Sequence, residues 1–220
     1  MISEKLMQIH DLMLAAYGPQ DWWPGSGDFE TIVGAILTQN TNWGNVEKAL
    51  NKLKAANALD LETIHNMDQD ILAELIRPSG YYNIKAKRLK CFLNWLYENY
   101  DGNLGALANM SVYSLREELL SVKGIGRETA DSIILYAFEK PAFVIDAYTA
   151  RILVRHGLID CDADYEQLKE LFEGNLPEDV KLFNEYHALL VQVGKKHCKP
   201  KPKCTGCPLE CLPHDIEQPY

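Results

Sequence analysis

The apolar residues of this chain recur at helical spacing almost from end to end, and that periodicity limits the fold more than any other feature. Leu6, Ile9, Leu12, Met13 and Ala16 make one stripe. Phe29, Ile32, Val33, Ile36 and Leu37 make the next, with Asp28 placed as its N-cap. Val46, Leu50 and Leu53 follow, then Ile84, Leu89, Phe92, Leu93 and Leu96. Leu115 and Leu119 precede Ala130, Ile133, Ile134 and Ala137, and Gly124 and Gly126 break the pattern between them. Ile152, Leu153, Leu168, Leu171, Leu182, Leu189 and Leu190 fill later helices. Phe143-Val144-Ile145 is a short β-like run too isolated to build a sheet. The expected class is all-α. With 220 residues, 47% hydrophobic and 24% charged, the chain can bury one or two cores, which excludes disordered and fibrous classes. No apolar run approaches the roughly 18 residues that span a bilayer, and the N-terminus lacks a signal-peptide layout, so a cytoplasmic protein with no membrane partner is expected.

Four of the six cysteines, Cys198, Cys204, Cys207 and Cys211, crowd into the last 23 residues, while Cys91 and Cys161 stand alone. A disulfide framework spreads its cysteines along a short secreted chain, so this clustering reads as metal or cluster ligation. Spacing alone admits a [4Fe–4S] cluster or zinc, and four protein ligands would make the role structural. The tail from Lys199 onward holds five of the ten prolines and cannot be helical. The net charge of −9 argues against a nucleic-acid partner, but residues 160–179 hold eight acids and one lysine and carry most of it. That segment reads as a solvated outer face. Two acid-free basic runs, residues 85–90 and 195–203, stand out; either alone reads as a solvated face.

Two motifs carry chemistry. Residues 119–131 read as helix, Gly-x-Gly hairpin, helix, centred on Lys123, Gly124, Ile125, Gly126 and Arg127. Glycines there admit backbone conformations closed to other residues and let a phosphate approach the amides that open the second helix. An ordinary helix hairpin is the plainer alternative. In Phe143-Val144-Ile145-Asp146-Ala147-Tyr148-Thr149-Ala150-Arg151 one acid follows an apolar run and opens a helix. Asp146 is then either a catalytic carboxylate or a simple N-cap. Arg151 and Arg155 follow it at helical spacing and read as partners of acids, and His187 reads as a plain helix histidine, with a pocket-facing one as the alternative.

This pair of motifs resembles the endonuclease III superfamily of DNA glycosylases. The resemblance runs over roughly residues 20–211. Leu37-Thr38-Gln39-Asn40-Thr41 is similar to the family's helix end that probes the gap left by an extruded base. Residues 77–86 are similar to its intercalating loop, with Tyr81 at the wedge, and the C-terminal cysteines to its iron–sulfur loop. The resemblance implies a two-lobed fold. Residues 25–137 would form a helical barrel domain with the hairpin, and 1–24 with 138–220 a second lobe with a cluster loop over 198–211. It implies double-stranded DNA as partner, a [4Fe–4S] cluster (zinc being the alternative), a monovalent cation at the hairpin, a monomer, and a place on the nucleoid while on DNA. Asp146 would be catalytic. Asn40, the five hairpin residues and Lys199, Lys201 and Lys203 would contact DNA.

Two departures qualify the resemblance. Bifunctional members carry a lysine after Gly-x-Gly-Arg that attacks the sugar; here that position is Glu128, which cannot form an imine. The implied enzyme removes the base without cutting the strand. The cysteine spacing also departs from the family pattern. Trp22-Trp23-Pro24 and Trp43 look closest to the 3-methyladenine glycosylase branch, which implies Trp23, Pro24, Trp43 and Gln39 around the flipped base and Trp22 in packing. An N-alkylated purine is cationic, gains about 1–2 kcal/mol over desolvated aromatic faces and leaves as a neutral base without a general acid. Residues 32–39 carry no carboxylate, in keeping with that. A uracil or thymine-mismatch glycosylase using Gln39, Asn40 and Asn42 stays open, as do a non-catalytic iron–sulfur DNA-binding protein and a small electron carrier.

Overall fold

The computed structural model describes residues 1–22 and 27–217. Among these the chain is helical with no strand. The order is α1 (Ile2–Tyr17), α2 (Asp28–Thr38), α3 (Trp43–Ala55), α4 (Leu61–Asn66), α5 (Gln69–Leu75), a 3-10 turn (Arg77–Ser79), α6 (Tyr82–Tyr100), α7 (Leu104–Ala108) and α8 (Val112–Ser121). Then come α9 (Arg127–Ser132), a π-type turn (Ile133–Ala137), α10 (Ala147–Arg155), α11 (Tyr165–Glu173) and α12 (Val180–Lys196). The chain divides into two compact units. One is Trp23–Lys140; the other joins Met1–Trp22 to Pro141–Tyr220.

In the first unit α2 is the central helix. Every residue from Thr31 to Leu37 is buried, and it packs on α3, α6, α9 and the π-type turn. A helix apolar all round must be enclosed this way. Its start corrects the sequence expectation: Gly27 occupies the N-cap and Asp28 is the first helical residue, making no cap hydrogen bond. Surrounding helices begin where short polar side chains satisfy orphan amides. Asn42, Asp60, Asp68, Asn103 and Ser111 each accept from the first turn they precede.

In the second unit α12 packs on α1 and α10. Its core is aromatic. Phe143 stacks on Phe172 at 3.7 Å between centroids, and Phe183 and Tyr186 meet Phe143 edge-on. Each such buried ring contributes about 1.5–3 kcal/mol. The Tyr186 hydroxyl donates to the Leu6 carbonyl at 2.7 Å and ties the first helix to the last. Gly194 lets α12 approach α10: a Cβ there would lie 2.3 Å from the Tyr148 ring. Phe143-Val144-Ile145 is buried chain outside any helix, its Phe143 amide donating to Glu173. No regular helix follows α12 among the described residues.

Candidate functional site

The first unit gathers three irregular segments around one face of α6. The segment after α2 bends sharply, with Asn40 exposed in a left-handed conformation at φ 53°. The segment before α6 does the same twice, with Gly80 at φ 69° and Tyr81 at φ 46°. A non-glycine residue held there is strained, and Tyr81 is also 68% exposed, an unusual site for a large ring. The third segment is the hairpin between α8 and α9. Gly124 takes φ 98°, and a Cβ on it would sit 2.5 Å from Cγ of Arg88. Gly126 takes an ordinary conformation and has open space where its Cβ would be. Steric need is thus confined to the first glycine.

Gln39 joins two of these segments. Its Nε2 donates to the Gly124 carbonyl at 3.0 Å and to Thr129 Oγ1 at 2.9 Å, while its Oε1 accepts from Arg88. Its amide therefore braces the hairpin. Lys123, Gly126, Arg127 and Glu128 are exposed, Glu128 in the first turn of α9, and Ile125 is buried. Trp43 is half-buried as the first residue of α3, behind the Asn42 cap. Trp23 and Pro24 lie outside the described residues.

The basic run over residues 85–90 is not a solvated face. Lys85 is buried, its ammonium donating to the Leu37 and Ser79 carbonyls at 2.8 and 2.6 Å. Lys90 caps the end of α4, donating to the carbonyls of Ile64, His65 and Met67. Lysine stems bury readily when the head finds carbonyls, and no local pattern announces that.

The second unit carries the acid. Asp146 is the N-cap of α10, Oδ1 accepting from the Thr149 amide at 2.7 Å. Its Oδ2 lies 3.7 Å from Nε2 of His187 on α12. Burial pushes the carboxyl up, but the neighbouring His187 imidazole and the Thr149 amide outweigh it, so the group is held below its ordinary value. His187 in turn stacks on Trp22, centroids 5.5 Å apart and planes 3° from parallel, and Lys195 Nζ lies 5.5 Å from the Trp22 ring. Sequence reasoning assigns Trp22 to packing and weighs a pocket-facing His187 as the lesser alternative; what it lacks is the link of these two residues to Asp146, far away in the chain.

The cysteine loop follows α12. Arg151 Nε donates to the Cys198 carbonyl at 2.8 Å; Arg155 donates to the Cys198 sulfur at 3.3 Å and to the carbonyls of Lys199 and Pro200. Two arginines that read as partners of acids thus brace this loop. Burial, then the neighbouring Cys198 thiol, push Cys204 up; burial also raises Cys207, with Cys204 and Cys198 adding to it. These three thiols are within electrostatic reach of one another, and a set of four soft thiols suits a thiolate-bound group. Among the described residues, no three His, Cys, Asp or Glu side chains close into a metal-holding group. Lys199, Lys201 and Lys203 are exposed on the same loop. No helix of the described residues is long and apolar enough to cross a membrane.

The chain is similar to known proteins. A family described as "HhH-GPD superfamily base excision DNA repair protein" matches residues 33–178. A Methanocaldococcus jannaschii protein named "Putative DNA repair glycosylase" is 49% identical over 213 residues, 95% of this chain and 96% of its own. The endonuclease III of Thermotoga maritima is 33% identical over 180 residues, 81% of this chain and 79% of its own. Among solved structures, the H. pylori 3-methyladenine DNA glycosylase bound to 1,N6-ethenoadenine is 31% identical with a TM-score of 0.76, covering 89% of this chain and 97% of that one. A hairpin between α8 and α9, a capping aspartate twenty residues on and these similarities agree: the chain belongs to the HhH-GPD superfamily of base excision DNA repair proteins and is one of its endonuclease III-like DNA glycosylases.

Proposed function

We propose that this protein is a monofunctional glycosylase that extrudes an alkylated purine of the 3-methyladenine type from duplex DNA and hydrolyses its N-glycosidic bond. The observation that carries the reading is Asp146, a carboxylate held below its ordinary value beside His187. Such a group stabilises positive charge developing on the sugar and orients a water onto it. The hairpin, residues 123–127, grips the phosphate backbone without reading sequence. Tyr81 enters the base stack and Asn40 probes the vacated space, both from backbone already committed to a left-handed turn. Trp43, with Trp23 and Pro24, receives the base, and Gln39 acts by bracing the hairpin.

An alkylated purine suits these residues. It is cationic, so aromatic faces attract it, and it departs neutral, so the absence of a carboxylate from residues 32–39 is no handicap. The 31% identity to the H. pylori 3-methyladenine DNA glycosylase supports the same substrate class. Glu128 offers no amine, so the sugar is not attacked by the protein and the abasic strand stays intact. Cys198, Cys204, Cys207 and Cys211 would hold a [4Fe–4S] cluster whose role is to keep the Lys199–Lys203 stretch in shape for DNA phosphates. The protein would act as a monomer on nucleoid DNA.

Base release tests this directly. Duplexes carrying a single 3-methyladenine-type lesion, uracil, mismatched thymine or an oxidised pyrimidine are incubated with the protein, then scored with and without alkali. Release from the alkylated duplex alone, visible only after alkali, is expected. D146N should lower release by about 100-fold or more while duplex binding persists. Strand cutting without alkali would sink the monofunctional reading, and release of uracil or thymine instead would transfer the site to pyrimidine chemistry. Iron and sulfide analysis of the same preparation checks the cluster against zinc.

A further inference from the structure

Lys85 is the most deeply buried lysine of the chain at 1% exposure, and the partners of its ammonium are main-chain carbonyls from two different segments. The Leu37 carbonyl belongs to the last turn of α2, where four carbonyls lack helical partners and the helix dipole favours a cation. Immediately beyond it the chain turns out through Gln39 to the left-handed Asn40. The Ser79 carbonyl ends the 3-10 turn, immediately before left-handed Gly80 and Tyr81. One positive charge therefore holds together the roots of the two strained, exposed turns. Burial, then the nearby Arg88, lower the Lys85 pKa to about 8, so most of it remains protonated at neutral pH. Desolvating an ammonium is costly, and a methionine would fill the same space without that cost. What the ammonium adds is direction: donors that fix two carbonyls at a set separation.

Arg88 lies three residues on along the same helical face and extends the brace. It donates to Gln39 Oε1, and Gln39 reaches the Gly124 carbonyl and Thr129 of the hairpin. Resting on the glycosylase reading above, we propose that Lys85 is a positioning residue that locks the gap-probing turn to the wedge turn, so that Asn40 and Tyr81 enter a damaged duplex as one rigid pair. Without the lock each turn relaxes toward unstrained backbone, and the pair loses its preorganisation. The lock acts on lesion engagement and leaves the phosphate grip of the hairpin untouched.

The test is binding of full-length protein to two duplexes of one sequence, undamaged and carrying a stable tetrahydrofuran abasic-site analogue. K85M should weaken binding to the abasic duplex about tenfold, through removal of charge-assisted hydrogen bonds, while undamaged-duplex binding stays within about twofold. Y81A should do the same. The double variant should lose clearly less than the sum of the two single losses, because Lys85 acts in part through the wedge. K85Q, which reaches one carbonyl only, replaces K85M if that variant does not fold and is judged by the same criteria. Equal losses on both duplexes, no loss, or additive losses in the double variant would each overturn the lock. If Y81A itself leaves the preference for abasic DNA intact, the wedge assignment has failed and the lock falls with it. If Y81A abolishes the preference and K85M spares it, only the lock has failed.

Discussion

At the residue scale, the capping of α10 by Asp146 is compatible with the catalytic role proposed for it. One carboxylate oxygen is fixed by the Thr149 amide, which aims the other at His187. The cap supplies orientation that a catalytic acid otherwise draws from a dedicated partner. Because the folded carboxyl is held below its ordinary value, the charged form persists into acid. The stabilisation it contributes is present above the unfolded value and is lost as pH falls through the lowered folded value. The acid limb of single-turnover base release should accordingly lie below about pH 4, the ordinary aspartate range. H187Q removes the imidazole charge that helps to lower it, so the limb should move upward. A pH–rate profile of both proteins checks this, and an unmoved limb would mean that His187 does not set the Asp146 charge. The Trp22 ring stacked on His187 keeps the imidazole in that orientation.

At the scale of an element, the hairpin separates two uses of glycine. Gly124 combines a left-handed φ of 98° with a close neighbour in Arg88, so any Cβ is strained twice. G124A should destabilise the protein by about 1–3 kcal/mol, read as a lower melting temperature, and disturb the Arg88–Gln39 brace. Gly126 has neither constraint, so G126A should melt within a degree or two of the parent. If the open space over Gly126 serves a phosphate, G126A should nevertheless bind duplex DNA several-fold more weakly. Equal drops in melting temperature for both variants would contradict this division. The crossing of α10 and α12 uses a third glycine for a different purpose, since Gly194 packs directly on Tyr148.

At the scale of the whole molecule, net charge misleads. The chain totals −9, yet the acids concentrate over residues 160–179 while Lys199, Lys201 and Lys203 are exposed on one braced loop. Repulsion from the acidic segment is screened within roughly 8 Å at physiological salt, so local placement governs how DNA is met. Replacing these three lysines by glutamine should weaken binding to all duplexes alike and reduce the slope of log K against log salt by about 0.9 for each phosphate no longer neutralised. Binding measured between 50 and 200 mM salt, on specific and random duplexes, checks both. An unchanged slope would remove the loop from the DNA interface.

The all-α class was legible because it depends on residues three and four apart. Leu6, Ile9 and Met13, or Leu89, Phe92, Leu93 and Leu96, declare a buried face with no knowledge of what covers it. The hairpin and the capping aspartate were legible for the same reason, each being written in a few consecutive residues. The start of α2 is misread by one residue because glycine and aspartate both cap helices and only the backbone distinguishes them. What the sequence could not supply were pairings across distance. Lys85 meets the Leu37 carbonyl 48 residues away, Arg155 meets Cys198 across 43, and Gln39 meets Thr129 across 90. The cations Lys85, Lys90 and Arg155 also find main-chain carbonyls, which every residue possesses and no composition reveals. A run of lysines therefore looks solvated until packing delivers the carbonyls that bury it. Local chemistry determined the helices, the hairpin and the acid; tertiary structure alone decided which cations became internal braces and which stayed exposed.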